Sequence, residues 1–237
     1  MDGTFIDRLV SNAARPVVLD GLTWHPTGWA ARPDPLPEAL KVYSLGAIRD
    51  YVAANRDEIA LAKCVVHVVS PQIVTLSGPL TETFRAREAY VQATAQNLTD
   101  GFLGKLVSHE EFVIGLQTRF VESDERARVL RLIGNIKHES VKTSADDGVT
   151  QTVQARAGVV LQQDVPVPSP ITLVPYRTFR EVTQPSSLFV LRVSANGTAT
   201  PNVGLFEADG GAWRLTAIDR VRDWLREALP TSVAVLA

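Results

Sequence analysis

The chain has 237 residues, of which 45% are hydrophobic and 21% are charged, and its formal net charge at pH 7 is −2. These values are those of a globular protein and exclude intrinsic disorder as its class. The net charge also argues against a domain that binds duplex nucleic acid, because such domains usually carry an excess of basic residues. No run approaches the roughly 20 apolar residues that span a bilayer, and the N-terminus lacks the pattern of a secretory signal. We expect one domain over residues 1–237 with no membrane contact.

The first 37 residues predict a short helix within residues 1–15, a strand over "RPVVLDGLTW" and a proline-rich loop. The stretch "GLTWHPTGWAARPDPLP" combines Trp24, His25 and Trp29 with four prolines. These side chains could stack on a base or a sugar. Aromatic rings beside prolines more commonly pack a loop against the protein body, because a large ring buries much surface. We expect a buried plug and keep the three residues as candidate binding residues.

The next segment predicts a strand that leads into a helix. "KVYSLGAIRDYVAANRDEI" has Ser44 as a plausible N-cap before an apolar helical face. The β-branched runs "KCVVHVVS" and "QIVTLSG" on either side of Pro71 predict two strands joined by a turn. Residues 84–96 are expected to form a helix.

Two capped helices follow. "SHEEFVIGLQTRFV" begins with Ser108 as N-cap and has Glu111 three residues later, the spacing of a capping box. "SDERARVLRLIGN" begins with Ser123, and the acidic residues after it suit the positive end of the helix dipole. Both predictions depend on local sequence alone.

A polar β-hairpin is predicted over residues 137–160. Asp147–Gly148 lies near its centre and is typical of a tight hairpin turn. Lys137, Lys142 and Arg156 could contact phosphates, so they are candidate binding residues. A solvated or intersubunit hairpin is the preferred interpretation, since an isolated two-stranded ribbon is only marginally stable in water.

The last third of the chain predicts strands, a turn at Asn196–Gly197, a helix and a tail. "AWRLTAIDRVRDWLREALP" places one apolar face on the helix, formed by Leu215, Ile218, Val221, Leu225 and Leu229. Pro230 ends this helix. The apolar, β-prone tail over residues 230–237 is expected to pair with a neighbouring chain by strand addition. Strands and helices are segregated along the sequence, which favours an α+β fold of mostly antiparallel sheets.

Two stretches partly match familiar catalytic or metal-binding motifs, but each lacks a residue that the motif requires. "SHEEFV" has Val113 where a zinc protease helix needs its second histidine. "GFLGKL" has Leu106 where a phosphate loop needs serine or threonine. His67 and Cys64 fall on opposite faces of a strand, which disfavours a dyad. We therefore predict no catalytic residue, no metal site and no cofactor.

The order of elements resembles that of the YfdQ-like family of phage and prophage proteins of unknown function. The resemblance covers roughly Arg15 to Leu229 and is carried by "KVYSLGAIRDYVAANRD", the S-x-E-E-F helix, the second helix, the polar hairpin, "ITLVPYRTF" and the final hairpin and helix. The family's tryptophan region before the S-x-E-E-F helix is weak here, because "NLTDGFLGKLV" has no tryptophan. The resemblance implies a phage or prophage origin and supplies no mechanism.

These observations predict a non-enzymatic, phage-encoded protein that works by binding, as a homo-oligomer, in the host cytoplasm or the virion. Its role would be an accessory or host-interaction one with an unknown ligand, and nucleic acid and a small ligand are the candidate partners besides the chain itself. One alternative is a self-assembling virion or shell protein. Another is a nucleic-acid-binding accessory of recombination or replication, and a dispersed catalytic site is a third. The expected assembly rests on the polar hairpin and the apolar tail.

Overall fold

The computed structural model describes residue 4 and residues 15–19, 21–24, 31–32, 36–81, 85–136, 151–157, 161–194 and 201–237. Four helices lie in these ranges: α1 (Leu45–Ala54), α2 (His109–Arg119), α3 (Asp124–Asn135) and α4 (Trp213–Ala228). The first seven strands are β1 (Val17–Leu19), β2 (Leu22–Trp24), β3 (Ala31–Arg32), β4 (Leu40–Val42), β5 (Val65–Ser70), β6 (Ile73–Leu80) and β7 (Arg87–Thr94). The other seven are β8 (Leu106–Ser108), β9 (Gln151–Ala157), β10 (Leu161–Val167), β11 (Ile171–Leu173), β12 (Ser187–Ser194), β13 (Asn202–Glu207) and β14 (Ala234–Leu236).

The fold is α+β, as the sequence predicts. Two larger sheets each carry helices on one face, and most of the strand pairings are antiparallel. The serine caps are confirmed: Ser44, Ser108 and Ser123 each accept a hydrogen bond from the backbone N–H three residues later. Each cap satisfies one of the donors that a helix N-terminus leaves free.

The first sheet has the strand order β14-β5-β6-β7-β4. Its edge strands β14 and β4 run parallel to their neighbours β5 and β7. Helices α1 and α4 cover one face and bury a core formed by Leu45, Ile48, Val66, Val68, Val74, Leu76, Val91, Val221 and Leu225, among others. Cys64 lies in this core, whereas His67 is exposed on the opposite face. The prediction that these two residues face apart is confirmed.

The second sheet is antiparallel, with the order β11-β12-β13-β8. Helices α2 and α3 pack on it. Phe102 and Phe120 meet edge-on with ring centroids 6.0 Å apart, and Phe120 meets Phe189 in the same manner at 6.3 Å. Phe112 and Leu116 of α2 are fully buried in this core, as the apolar spacing of that helix predicts.

Two smaller sheets lie in the N-terminal region and in the region of the predicted hairpin. Strands β1, β2 and β3 form an antiparallel sheet, so "RPVVLDGLTW" is two strands rather than one. They turn at Gly21, whose φ of 76° favours glycine. Strands β9 and β10 form an antiparallel ribbon. The Asp147–Gly148 turn, the Asn196–Gly197 turn and, apart from residue 4, the helix within residues 1–15 lie outside the described residues.

The helix predicted over residues 84–96 is wrong, because residues 87–94 form strand β7. The run "REAYVQAT" contains good helix formers, but it lies between β6 and β4 and pairs with both. Its alternate residues Val91 and Ala93 are buried in the first core. Sheet pairing and burial on one face outweigh local helix propensity here.

Two predictions for the C-terminal region need correction. Leu215 is 71% exposed, and the buried face of α4 contains Trp213 and Ala217 instead. The tail does join an open sheet edge, but that edge is β5 of the same chain, with Val233 buried in the first core. The tail therefore needs no second chain for backbone pairing.

Candidate functional site

Residues 174–186, here called the junction segment, connect β11 to β12 and run between the two cores. Phe179 and Val182 are buried in the first core, although the flanking strands belong to the second sheet. The segment also contains Arg177, which is only 1% exposed. A buried arginine needs compensating hydrogen bonds and charge, so its surroundings show how the segment is held.

The side chain of Gln184 fixes the backbone of the junction segment. Its Oε1 accepts hydrogen bonds from the backbone N–H groups of Arg177 (2.9 Å) and Thr178 (3.2 Å). Its Nε2 donates to the backbone oxygen of Phe179 at 2.8 Å. One buried amide therefore closes a loop that has no regular secondary structure, which is how buried backbone groups outside helices and sheets are satisfied.

The same segment is bonded to both halves of the fold. Gln72, in the turn between β5 and β6, donates from Nε2 to the Arg177 oxygen at 3.1 Å. The Thr178 hydroxyl donates to the Pro71 oxygen. On the other side, Tyr176 donates its N–H to the oxygen of Arg119 at 2.9 Å and accepts from the Leu98 N–H at 3.0 Å. The position of Arg177 is thus set by elements from both sheets.

The Arg177 guanidinium is ion-paired and stacked. Its Nη1 donates to Glu207 and its Nη2 donates to the Ser187 hydroxyl at 2.5 Å. The guanidinium carbon lies 3.9 Å from the ring centroid of Trp213 and 5.9 Å from that of Phe189. Burial lowers the pKa of Arg177 to about 10, although the Glu207 carboxylate favours the charged form.

Within the part of the chain that the structure describes, two buried N–H groups at this place have no acceptor. They are Nε of Arg177 and the indole Nε1 of Trp213, a side chain that is 5% exposed. Native proteins pair the large majority of such groups, so each exception requires an explanation. Both residues line the same cleft, although the two nitrogen atoms themselves have almost no accessible surface.

This polar cleft has a volume of about 310 Å³ and is lined by Asn97, Thr99, Asp100, Gly101, Leu103, Gly104, Arg177, Glu207, Trp213 and Arg214. It is formed by the loop before β8, the end of β13 and the start of α4. Arg214 is exposed, and its guanidinium carbon lies 5.1 Å from the Trp213 ring centroid. Gly211, with φ of 80°, leaves room for the Arg214 guanidinium, which any side chain at residue 211 would meet. The cleft is within the lower size range of small-molecule sites.

A second, apolar cleft of about 540 Å³ is lined in part by the junction segment. Its lining residues are Tyr43, Thr94, Ala95, Gln96, Leu98, Thr178, Phe179 and Arg180. Arg180 stacks on Tyr176 with 3.9 Å between the guanidinium carbon and the ring centroid. No unpaired buried polar atom is recorded for these lining residues, so this cleft gives less indication of a specific ligand than the polar one.

None of the six candidate binding residues from the sequence lies in the described lining of the polar cleft. The Trp24 backbone is in β2 and that of Arg156 is in β9, where it pairs with Gln162. His25, Trp29, Lys137 and Lys142, as well as the side chains of Trp24 and Arg156, lie outside the described part of the chain. The plug and phosphate-contact interpretations stay predictions.

Arg177 and Trp213 are the residues that sequence reasoning missed. Arg177 stands in "VPYRTF", an irregular connection where no periodicity indicates which side chain is buried. Trp213 follows "DGGA" at the start of a helix whose apolar face was assigned from Leu215 onward. The only sequence signal is that Arg177 stands among apolar and aromatic residues. That pattern is too common to identify a site.

Within the described ranges, no group of three or more histidine, cysteine or acidic side chains could hold a metal ion. Nor does any described helix have the length and apolarity needed to cross a membrane.

No family model matches the chain, and neither a curated protein nor a solved structure is significantly similar to it.

Proposed function

We propose that this chain is a non-enzymatic, phage-encoded binding protein that acts as a homo-oligomer and holds a small ligand in the polar cleft. The observation that carries the proposal is the polar cleft itself, whose wall contains the ion-paired and stacked Arg177, the Trp213 ring and the exposed Arg214. A cleft of this size with a few fixed polar groups is typical of small-molecule sites.

The rigidity of the cleft also supports a binding role. Arg177 is oriented by Glu207 and Ser187, and its backbone is fixed by Gln184 and Gln72. A donor held in position before the ligand arrives loses little conformational entropy on binding. This arrangement suits recognition, which needs fixed donors and acceptors.

The homo-oligomer draws support from the face of the first sheet opposite α1 and α4, on which none of the described helices packs. Helices α1 and α4 lie on the face of Val66 and Val68, while Val69 and Leu236 on the other side are 50% and 55% exposed. Apolar side chains on an open sheet face are typical of surfaces that associate. Phage origin rests on the sequence resemblance.

Native mass spectrometry of the protein purified from bacterial cells tests the proposal. We expect a small closed oligomer that retains a molecule, lost when the protein is denatured. Asp100 is exposed in the cleft wall, so Asp100→Tyr should narrow the cleft and abolish retention. Glu227→Tyr on the exposed side of α4 is the matched control and should retain the molecule.

Two results would count against the proposal. The protein could be a ligand-free monomer whose mass does not change when a small-molecule extract of bacterial cells is added. That result would contradict both the homo-oligomer and the bound ligand. A very large particle would instead favour the virion or shell alternative.

A further inference from the structure

The apolar cleft is formed where two neighbouring strands of the first sheet end beside the junction segment. Strands β4 and β7 run parallel with Val42 beside Ala93, so Tyr43 and Thr94, which follow these two residues, lie at the same end of the sheet. Residues 178–180 of the junction segment supply another part of the wall. The volume of about 540 Å³ is within the range of small-molecule sites.

Arg180 is the one charged residue in the described lining of this cleft, and it is exposed. Its guanidinium carbon lies 3.9 Å from the Tyr176 ring centroid, so the ring covers one face of the guanidinium. Stacking leaves the N–H donors free, because they point outward in the plane of the group. Among the described residues, no carboxylate lies within ion-pair distance of Arg180.

The acidic residue next to Arg180 in the sequence is held elsewhere. Oε1 of Glu181 accepts a hydrogen bond from the Gly46 N–H at 3.2 Å, at the start of α1. Glu181 is also absent from the described lining of the cleft. The cleft therefore presents one positive charge that no described carboxylate neutralises.

Most of the remaining wall is aliphatic or aromatic. Ala95, Leu98 and Phe179 line the cleft, and so does Tyr43, which is 83% exposed. An exposed ring offers a ligand a flat apolar surface, and aromatic rings pack on such a surface with more than their buried area alone contributes. A ligand that fits this wall therefore carries an apolar part of its own.

We infer that the apolar cleft binds a small monocarboxylate with an aromatic body. The carboxylate binds the free N–H donors of Arg180, since a guanidinium fork matches a carboxylate, and the ring packs against Tyr43, Ala95 and Leu98. A cation would be repelled by Arg180, a neutral molecule would leave its donors unused, and a dianion would bring a second charge that the described lining does not neutralise. This site is separate from the polar cleft and does not rest on the proposed function.

Tyrosine signals report on binding in this cleft. The chain has four tyrosines: Tyr43 lines the cleft and Tyr176 lies under Arg180, whereas Tyr51 and Tyr90 pack against the first core. The protein is labelled with ¹³C-tyrosine, and each signal is assigned with the corresponding single Tyr→Phe variant. We expect benzoate to shift the Tyr43 and Tyr176 signals in a saturable manner and to leave the other two in place.

Four further probes, at the same pH and ionic strength, each change one feature of benzoate. Benzyl alcohol lacks the charge, acetate lacks the ring, benzylamine has the opposite charge, and phenyl phosphate carries a second negative charge. The dissociation constant of each is obtained from the same tyrosine signals. We expect every one of them to bind at least about fivefold more weakly than benzoate.

Two exposed cleft residues allow variants that separate the contribution of the charge from that of the ring. Arg180→Gln should weaken benzoate binding about tenfold, because a charge-assisted hydrogen bond is lost, and should change benzyl alcohol binding by less than about twofold. Tyr43→Ala, followed through Tyr176, should weaken both about threefold and leave acetate binding unchanged. Arg226→Gln and Leu215→Ala, at exposed positions of α4, are the matched controls and should have no effect.

Several outcomes would overturn the inference. They are Tyr43 and Tyr176 signals that show no saturable shift with millimolar benzoate, binding of any other probe as tight as that of benzoate, and equal effects of the cleft and control variants. The proposed function is judged separately, by a retained molecule that Asp100→Tyr removes from the polar cleft. Either result can therefore fail while the other holds.

Discussion

The second core and the junction segment are both buried, but different interactions hold them. The second core is a set of apolar side chains from α2, α3 and the second sheet, with Phe112 and Leu116 fully buried. The junction segment is buried through hydrogen bonds and an ion pair around Arg177 and Gln184. The second core consists of apolar side chains alone, whereas the junction segment contains, within the described ranges, a buried Arg177 Nε without a hydrogen-bond partner. This protein therefore buries residues in two ways, by apolar packing and by the pairing of polar groups.

The largest effect is expected in the core. Phe112→Ala should lower the free energy of unfolding by about 3–5 kcal/mol, because it removes a fully buried ring and leaves a cavity beside Phe102. Urea denaturation followed by circular dichroism measures the change. A loss below about 1 kcal/mol would mean that this core is not packed as described.

Replacing the buried arginine should cost less than removing the core ring. Arg177→Met keeps much of the side-chain volume but leaves Glu207 and Ser187 without their partner, so we expect a loss of about 2–4 kcal/mol. Glu207 is near the surface and regains some hydration, which limits the cost. Arg226→Met, at an exposed position of α4, should change stability by less than about 0.5 kcal/mol. Equal stability of the two variants would contradict a structural role for the Arg177 cluster.

The amide that fixes the junction segment gives a smaller and more specific effect. Gln184→Leu is similar in volume but leaves the N–H groups of Arg177 and Thr178 without an acceptor, at a cost of about 1–3 kcal/mol. Hydrogen exchange of those two amides should accelerate more than exchange in α2. Uniform acceleration across the protein would show that the segment does not open independently.

The smallest effect concerns the reactivity of Cys64 rather than stability. Burial in the first core raises the pKa of its thiol, so little thiolate forms and access is poor. Labelling by a thiol reagent at pH 8 should be slow in the native protein and should become fast in denaturant. Rapid labelling under native conditions would mean that the first core opens readily around Cys64.

The parts of the fold that the sequence predicts are those governed by local rules. Ser44, Ser108 and Ser123 are recognisable as caps because capping needs only a side-chain oxygen and the next three residues. Strand β7 was missed because its residues favour a helix until β6 and β4 lie beside them. Leu215 was misassigned because its spacing fits the helical period, while the actual buried face is rotated toward Trp213 and Ala217.

The candidate site could not be predicted from the sequence, for a different reason. Its residues come from the loop at residues 97–104, the junction segment, the end of β13 and the start of α4. No spacing rule links positions that far apart, and an arginine is expected at the surface unless it is paired. Only the packing of the two sheets on the junction segment brings Arg177 beside Trp213.

The most direct test of the central claim is the indole N–H signal of Trp213 in ¹⁵N-tryptophan-labelled protein. The fraction of a bacterial extract below about 1 kDa in mass is added to it, with salt and pH held constant. If the polar cleft binds a small ligand, the Trp213 signal shifts because Trp213 lines the cleft, and the other three tryptophan signals stay in place. A Trp213 signal that does not move at saturating extract, or that moves together with the other three, would contradict the account.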